Sequence, residues 1–295
     1  MVLIVGASGF IGNKFYHYFK DNKINVRGTY FSNIGELNKE DRIYLDLENG
    51  NIDEIKRLKD LSRVIFCHGI SEVEKCKNNQ DLTNLVNVKN TFKLLEYCKD
   101  ANIKPVYLST NMVFDGMSKF PSETCVPNPI SEYGRQKLAV ENFIIKNFKQ
   151  YLILRLTKVF GVERGDGSLF TSWLDKLLIN ESIKAANNIF ISPIYVMDVI
   201  KITDSLLENQ VSGVFNLGGL EIERPSDFAK KMAVFFRLDL NLVKEVSIES
   251  FAFTEKRPHF SSLDSKNVRQ CLAINLTTID DCLAKISTNY NLNRH

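Results

Sequence analysis

The chain opens with a rhythm of short apolar runs separated by longer stretches in which apolar and polar positions alternate by the turn. Residues 2–5, 64–67 and 106–108 are continuously apolar, and runs at 25–30, 42–45 and 151–156 repeat the rhythm with polar residues among the apolar ones. Between them, apolar side chains recur at helical spacing. Phe10, Ile11, Phe15, Tyr18 and Phe19 mark a helix over residues 10–19. Further helices are predicted over 52–58, 82–98 and 131–148. The long one at 82–98 carries Leu85, Val88, Phe92, Leu94 and Leu95 on or near one face. Strands that are apolar throughout must be covered on both sides, and the intervening helices supply the cover. Residues 1–160 therefore predict an α/β fold with a doubly wound parallel sheet.

After residue 160 the rhythm changes. Helices are predicted over 169–179, 226–236 and 278–286, and strands over 190–196 and 214–217, with Pro193, Pro225 and Pro258 as punctuation. There is no internal repeat or low-complexity tract. Residues 161–295 read mainly as a smaller lobe that returns some elements to the first sheet. A length of 295 residues suits one large domain, or one domain plus a smaller one. Hydrophobic residues at 44% and charged residues at 25% allow a core that needs no staples. Net charge is only +3 and the charges are interspersed, which argues against nucleic acid as a partner.

No apolar stretch approaches the ~20 residues of a membrane span, and the run at 2–5 is too short for a signal peptide. The six cysteines lack any Cys-x-x-Cys spacing, so neither a zinc site nor a redox pair is expected. They read as small buried residues in a reducing cytosol, and the chain as cytoplasmic. A homodimer stays open, since oligomeric state leaves no mark on the sequence.

The first apolar run leads directly into Gly6-Ala7-Ser8-Gly9-Phe10-Ile11-Gly12, which opens the first helix. A glycine-rich turn from strand to helix lets backbone approach a pyrophosphate, and the helix N-terminus offers unpaired N–H groups and a positive dipole end. The spacing implies a Rossmann-type dinucleotide site built on Gly6, Ser8, Gly9, Phe10, Ile11 and Gly12. The second strand ends Thr29-Tyr30-Phe31-Ser32-Asn33, with no acid before Glu36. An acid there would bind the ribose 2′-hydroxyl of NAD, so its lack favours NADP over NAD and places Ser32 near the cofactor. Arg27 is either a phosphate partner or a solvated strand residue. Asp46 either meets the adenine edge or caps a turn.

Tyr133-Gly134-Arg135-Gln136-Lys137 begins a later helix. Tyr133 and Lys137 lie one turn apart on one face. A phenol titrates near 10, so the neighbouring ammonium, with the cofactor's own positive charge when oxidised, is expected to favour phenolate and bring Tyr133 into range for acid–base work. Ser109-Thr110 end the fifth strand, where a hydroxyl could polarise a reacting carbonyl. Thr110 is the candidate and Ser109 the reserve.

These motifs, with Ser109-Thr110-Asn111-Met112-Val113-Phe114-Asp115-Gly116, resemble the extended short-chain dehydrogenase/reductase superfamily, and within it the dTDP-4-dehydrorhamnose reductase group. Glu123, Pro127 and Pro129, and Arg257-Pro258-His259 followed by Ser262-Leu263-Asp264, fit the same group. The resemblance covers nearly the whole chain. It implies a Rossmann domain with a smaller lobe that grips a nucleotide-sugar. It places Gly9, Phe10 and Ile11 at the pyrophosphate, Asp46 and Leu47 at the adenine, and His68, Gly69 and Ile70 along the cofactor. It assigns Thr110, Tyr133 and Lys137 to catalysis, and residues 155–161 and Pro193 to the substrate's border. Asn111, Lys158 and Arg257 also fall where substrate is expected.

Asn111-Met112 replaces the group's Asp-Tyr, and Lys158 replaces an aromatic, which leaves the sugar open. Three activities are compatible with the resemblance: a reductase of a nucleotide-linked 4-keto sugar, a nucleotide-sugar epimerase, and a regulatory subunit that binds cofactor without turnover.

Overall fold

The computed structural model describes residues 1–292. They form two compact units. The first comprises Met1–Phe114, Pro127–Arg155 and Thr203–Phe215, and the second Asp115–Val126, Leu156–Ile202 and Asn216 onward. The chain thus passes repeatedly from one unit to the other. Among the described residues, no helix is long and apolar enough to cross a membrane.

The first unit is built on a parallel sheet. Its strands in chain order are β1 (Val2–Val5), β2 (Val26–Tyr30), β3 (Arg42–Tyr44), β4 (Arg63–Phe66), β5 (Lys104–Thr110), β6 (Leu152–Leu156) and the strand Gly213–Leu217. The spatial order is Gly213–Leu217, β6, β5, β4, β1, β2, β3. Val2 pairs with Val26 on one side and with Arg63 on the other, so β1 stands where the order reverses. Clefts for ligands open at the carboxyl ends of strands at such a reversal.

The apolar runs of β1, β4, β5 and β6 are buried on both faces, as the pattern demanded, whereas Arg27, Tyr30 and Arg42 of β2 and β3 are only half-buried and Tyr44 is exposed. Leu3, Val5, Val64, Phe66, Tyr107 and Ile153 share one core with Leu94, Leu95, Val140 and Ile144 of two helices. The alternate residues Ile4, Ile65 and Val106 are buried as well, as are Phe15 and Phe19 of the helix Phe10–Asp21.

Several predicted elements are corrected. The helix expected over 52–58 is a single turn, Asp53–Lys56. The long helix over 82–98 is broken into Gln80–Asn84, a π turn Leu85–Lys89 and Asn90–Asp100. Its buried face includes polar Thr83, Asn87, Asn90 and Thr91, which need partners that a regular apolar face would not. The strand expected over 190–196 splits at Pro193 into Phe190–Ile191 and Ile194–Tyr195, and the helix Val196–Glu208 follows at once.

The second unit has its own core, centred on Phe160, Phe170, Trp173, Phe228, Met232 and Ile286. Short parallel pairs join Val243–Val246 to Ile183–Ala186, Phe260–Ser261 to Phe190–Ile191, and Ile194–Tyr195 to Val159–Phe160. The helix Ile279–Asn289 starts with a capping box from Thr278 and Asp281. Within this unit the segment Asp115–Val126 meets the segment 257–264. Phe260 N–H donates to the Gly116 carbonyl at 3.0 Å and Asp264 N–H to the Pro121 carbonyl at 3.1 Å. Glu123 accepts the Asn216 N–H at 2.9 Å. The two late signatures of the resemblance are therefore one structural arrangement.

None of the six cysteines is joined in a disulfide. Cys76, Cys98 and Cys282 are buried and Cys67 partly so, but Cys125 and Cys271 are exposed, against the expectation of burial.

Candidate active site

Gly9 caps the helix Phe10–Asp21, whose first turn holds no acidic residue. Gly6 has φ +85°. A Cβ on Gly12 would stand 2.2 Å from the Gly6 carbonyl oxygen, so the helix reaches the strand end only because that carbon is missing. Gly6, Ser8 and the capping Gly9 thus stand in the wall of an open cleft of ≈ 410 Å³ where the helix starts.

Of the expected cofactor residues, Gly6, Ser8, Gly9, Ser32, Asp46, Leu47, His68, Gly69 and Ile70 line this cleft. Phe10, Ile11, Gly12, Tyr133 and Lys137 are not in its lining. Thr29, Phe31, Cys67, Lys75 and Val86 are in it and carried no motif.

The Asp46 carboxylate caps its own turn, one oxygen accepting the Glu48 N–H at 2.7 Å and the other the Asn49 side-chain amide at 2.9 Å, and the residue also lines the cleft. Arg27 donates to the Glu40 carbonyl and is absent from the cleft's lining.

His68 bonds Thr91 through Nε2 at 2.8 Å, and its buried Nδ1 has no protein partner. Desolvation, with the Lys137 charge second, pushes its pKa down to about 3, so the ring is neutral. A glycine cradle, an acid-free helix start and an orphan imidazole nitrogen in the cleft wall fit a dinucleotide.

The catalytic candidates come from β5 and the helix Glu132–Asn147. Ser131 caps that helix by accepting the Gly134 N–H at 3.1 Å. A Cβ on Gly134 would lie 2.1 Å from the Met112 carbonyl oxygen. The glycine after Tyr133 thus lets the helix seat against the 3₁₀ turn Asn111–Val113 that follows Thr110. Lys137 is 6% exposed, donates to the Leu108 carbonyl at 2.9 Å and stands 5.9 Å from the Tyr133 ring.

The protein's own groups by themselves do not bring the phenol down. The Tyr133 pKa is raised, chiefly by desolvation and secondarily by Cys76; part of its surface reaches solvent, yet the ring sits deep enough for desolvation to dominate. Lys137 is itself pushed down to about 8 by burial. A phenol in this setting holds its proton.

The two hydroxyls at the end of β5 have different fates. Ser109 donates to Glu141, which is fully buried and paired with Arg155 at 2.7 Å. Thr110 accepts the Met112 N–H at 3.2 Å, which leaves its own O–H to donate. Arg155, expected at the substrate's border, is instead buried in this pair.

A network that no motif announced locks the helix. Asn87 accepts the Ile70 N–H at 2.8 Å and donates to the Ile70 carbonyl at 3.0 Å and to Gln136 at 2.8 Å. Gln136 in turn donates to Thr83 at 3.0 Å. Polar residues on an otherwise apolar helix face were the available signal.

The expected substrate residues lie in both units. Asn111 opens the 3₁₀ turn in the first. In the second, Lys158 is exposed, Pro193 is buried, and the Arg257 guanidinium lies 4.0 Å over the Phe253 ring. None of these three lines the ≈ 270 Å³ cavity of that unit, which is walled by Phe120, Gly218, Leu263, Asp264 and Arg269 among others.

Comparison with known proteins adds a family. The model of the RmlD substrate binding domain matches residues 1–291. A probable low-salt glycan biosynthesis reductase of Haloferax volcanii is 28% identical, over 98% of this chain and 97% of that one. The methionine adenosyltransferase 2 subunit beta of Xenopus tropicalis is 26% identical, over 91% of this chain and 81% of that one. The structure of the dTDP-4-dehydrorhamnose reductase of Bacillus anthracis in complex with NADP superposes with a TM-score of 0.81 at 23% identity, over 97% and 98% of the two chains. The chain belongs to the RmlD substrate-binding-domain family, in the extended short-chain dehydrogenase/reductase superfamily.

Proposed function

We propose that this protein reduces a nucleotide-linked keto sugar, with NADPH preferred over NADH. The observation that carries the reading is the phenol of Tyr133 one helical turn from a buried lysine, whose ammonium stands 5.9 Å from the ring and bonds the Leu108 carbonyl of β5. A bound nicotinamide would supply a hydride to the sugar's carbonyl carbon. Tyr133 donates the proton to the carbonyl oxygen, and a phenol kept protonated by burial is ready for that role. Thr110 directs its spare O–H to the same oxygen. Lys137 holds the ribose and keeps positive charge near the phenol. The glycine loop and the helix start bind the pyrophosphate.

The cofactor preference is supported by the stretch 29–35, which contains no acid, and by the shared fold of the Bacillus anthracis reductase bound to NADP. Residues of the second unit, Lys158 and Arg257 among them, supply substrate recognition. Six cysteines without a disulfide suit a reducing compartment, the cytoplasm.

The likeness to methionine adenosyltransferase subunit beta favours a second reading, a cofactor-binding subunit without turnover. Thr110, Tyr133 and Lys137 together weigh toward catalysis. The deciding experiment follows NADPH absorbance with a panel of nucleotide-linked keto sugars, beside calorimetric titration of NADPH and NADH. Consumption of NADPH with one of the sugars is expected. Isomerisation without NADPH consumption would instead mark an epimerase, and binding without any turnover a subunit.

A further inference from the structure

At the end of the first unit where β4 and β5 begin, a cavity of ≈ 560 Å³ opens. Its lining includes Arg63, Lys99, Lys104 and Lys149, and no carboxylate. Among the described residues, none of the four cations has a carboxylate partner. Lys104 donates to the Val211 carbonyl at 2.7 Å and Lys99 to the Asn147 side-chain oxygen at 3.2 Å, both neutral acceptors. Lys104 is partly buried, and desolvation with the Arg63 charge second lowers its pKa.

The helices Asn90–Asp100, Glu132–Asn147 and Val196–Glu208 all end near this cavity, since Asn102, Phe148 and Gln210 are in its wall. Helix C-termini attract cations, which offers a plainer account of the cluster. Each such end carries about half a negative charge, so three supply about −1.5 against four positive charges. More than half of the cationic charge is left over.

We propose that this cavity binds a small diphosphate anion, with Arg63 and Lys104 at its wall and the exposed Lys99 and Lys149 at its rim. Guanidinium and ammonium groups around one concavity are the chemistry that recognises phosphoryl oxygens, Arg63 by a two-pronged contact and the lysines as point charges. Lys104 and Thr110 stand at opposite ends of β5, about 20 Å apart at strand rise, so the anion touches no reacting group. The site is separate from the proposed activity and stands or falls without it.

The test is calorimetric titration of the full-length protein with inorganic pyrophosphate at constant ionic strength. Wild type is compared with Lys99→Glu/Lys149→Glu, whose two positions are exposed, and with Arg63→Gln. Wild type is expected to bind. Both variants should lose about tenfold or more in affinity while keeping the wild-type circular dichroism spectrum. A second arm uses uridine diphosphate. A parallel loss for it assigns the diphosphate of a nucleotide, and a loss confined to pyrophosphate assigns the free ion. No binding by wild type, or equal pyrophosphate binding by wild type and the double variant, overturns the proposal.

Discussion

Replacing Glu141 with Gln removes one charge from the core and turns one acceptor of its buried pair into a donor. Glu141 is 0% exposed and Arg155 3%. Arg155 Nη2 lies 2.7 Å from one carboxylate oxygen, and Nε lies 3.1 Å from both. The Arg155 guanidinium also stacks 5.1 Å from the Phe114 ring, and Nη1 has no partner. Gln keeps the shape of Glu and can still accept from Ser109, but its amide nitrogen then replaces the oxygen that accepts from Arg155, so the charge and those hydrogen bonds are lost together.

Arg155 cannot shed its proton. It is left as a buried cation facing a neutral amide, and breaking a buried pair in this way costs about 3–5 kcal/mol. That is a large part of the 5–15 kcal/mol typical of a folded protein. At about 2–4 °C per kcal/mol for a chain near this size, the unfolding midpoint should fall by about 6–20 °C. Thermal unfolding followed by far-ultraviolet circular dichroism reads the shift. Glu141→Leu/Arg155→Met, which removes both charges, should recover most of the loss. A midpoint for Glu141→Gln within about 2 °C of wild type would refute the reasoning.

Tyr133→Phe should lower kcat by about 10²–10⁴-fold and leave cofactor Kd within a few-fold, whereas Lys137→Ala should weaken both; retention of a tenth of wild-type kcat by Tyr133→Phe would remove the phenol as proton donor. Lys137 also predicts a pH dependence. Its folded pKa of about 8 lies below its ordinary 10.5, so between those values the unfolded chain binds more protons and stability rises with pH. The burial penalty is fully present below about pH 8. Lys137→Met should therefore gain stability relative to wild type near pH 7 and lose that advantage toward pH 10; a pH-independent difference in unfolding free energy would contradict this. Gly12→Ala drives a Cβ to 2.2 Å from the Gly6 carbonyl, so it should cost about 1–3 kcal/mol and abolish calorimetric binding of NADPH.

Much of the first unit was legible because its signals are local. An apolar run buried on both faces betrays itself without knowledge of its neighbours, and so does a glycine turn opening a helix. Tyr133 and Lys137 share a face by helical period alone. The corrections arose where the outcome depended on what packs alongside. Ser109 and Thr110 point to opposite sides of β5, and only the position of Glu141 shows that Ser109 is spent on the core. Asn87 and Thr83 broke the helical pattern because Ile70 and Gln136 needed partners. Val196–Glu208 escaped notice because its β-branched beginning, after Pro193, reads as strand.

Electrostatics divided in the same way. The sequence placed an ammonium one turn from a phenol. Burial then raised the pKa of Tyr133 and lowered that of Lys137, because desolvation depends on everything that surrounds a group. Asp46 stands in the cleft wall as its position after β3 implied, and the hydrogen bonds of its carboxylate to its own turn came from the fold. The chain by itself determined which groups sit on which strand or helix, since backbone period is set residue by residue. The tertiary structure decided their charge, partners and exposure, since those are set by atoms distant in sequence.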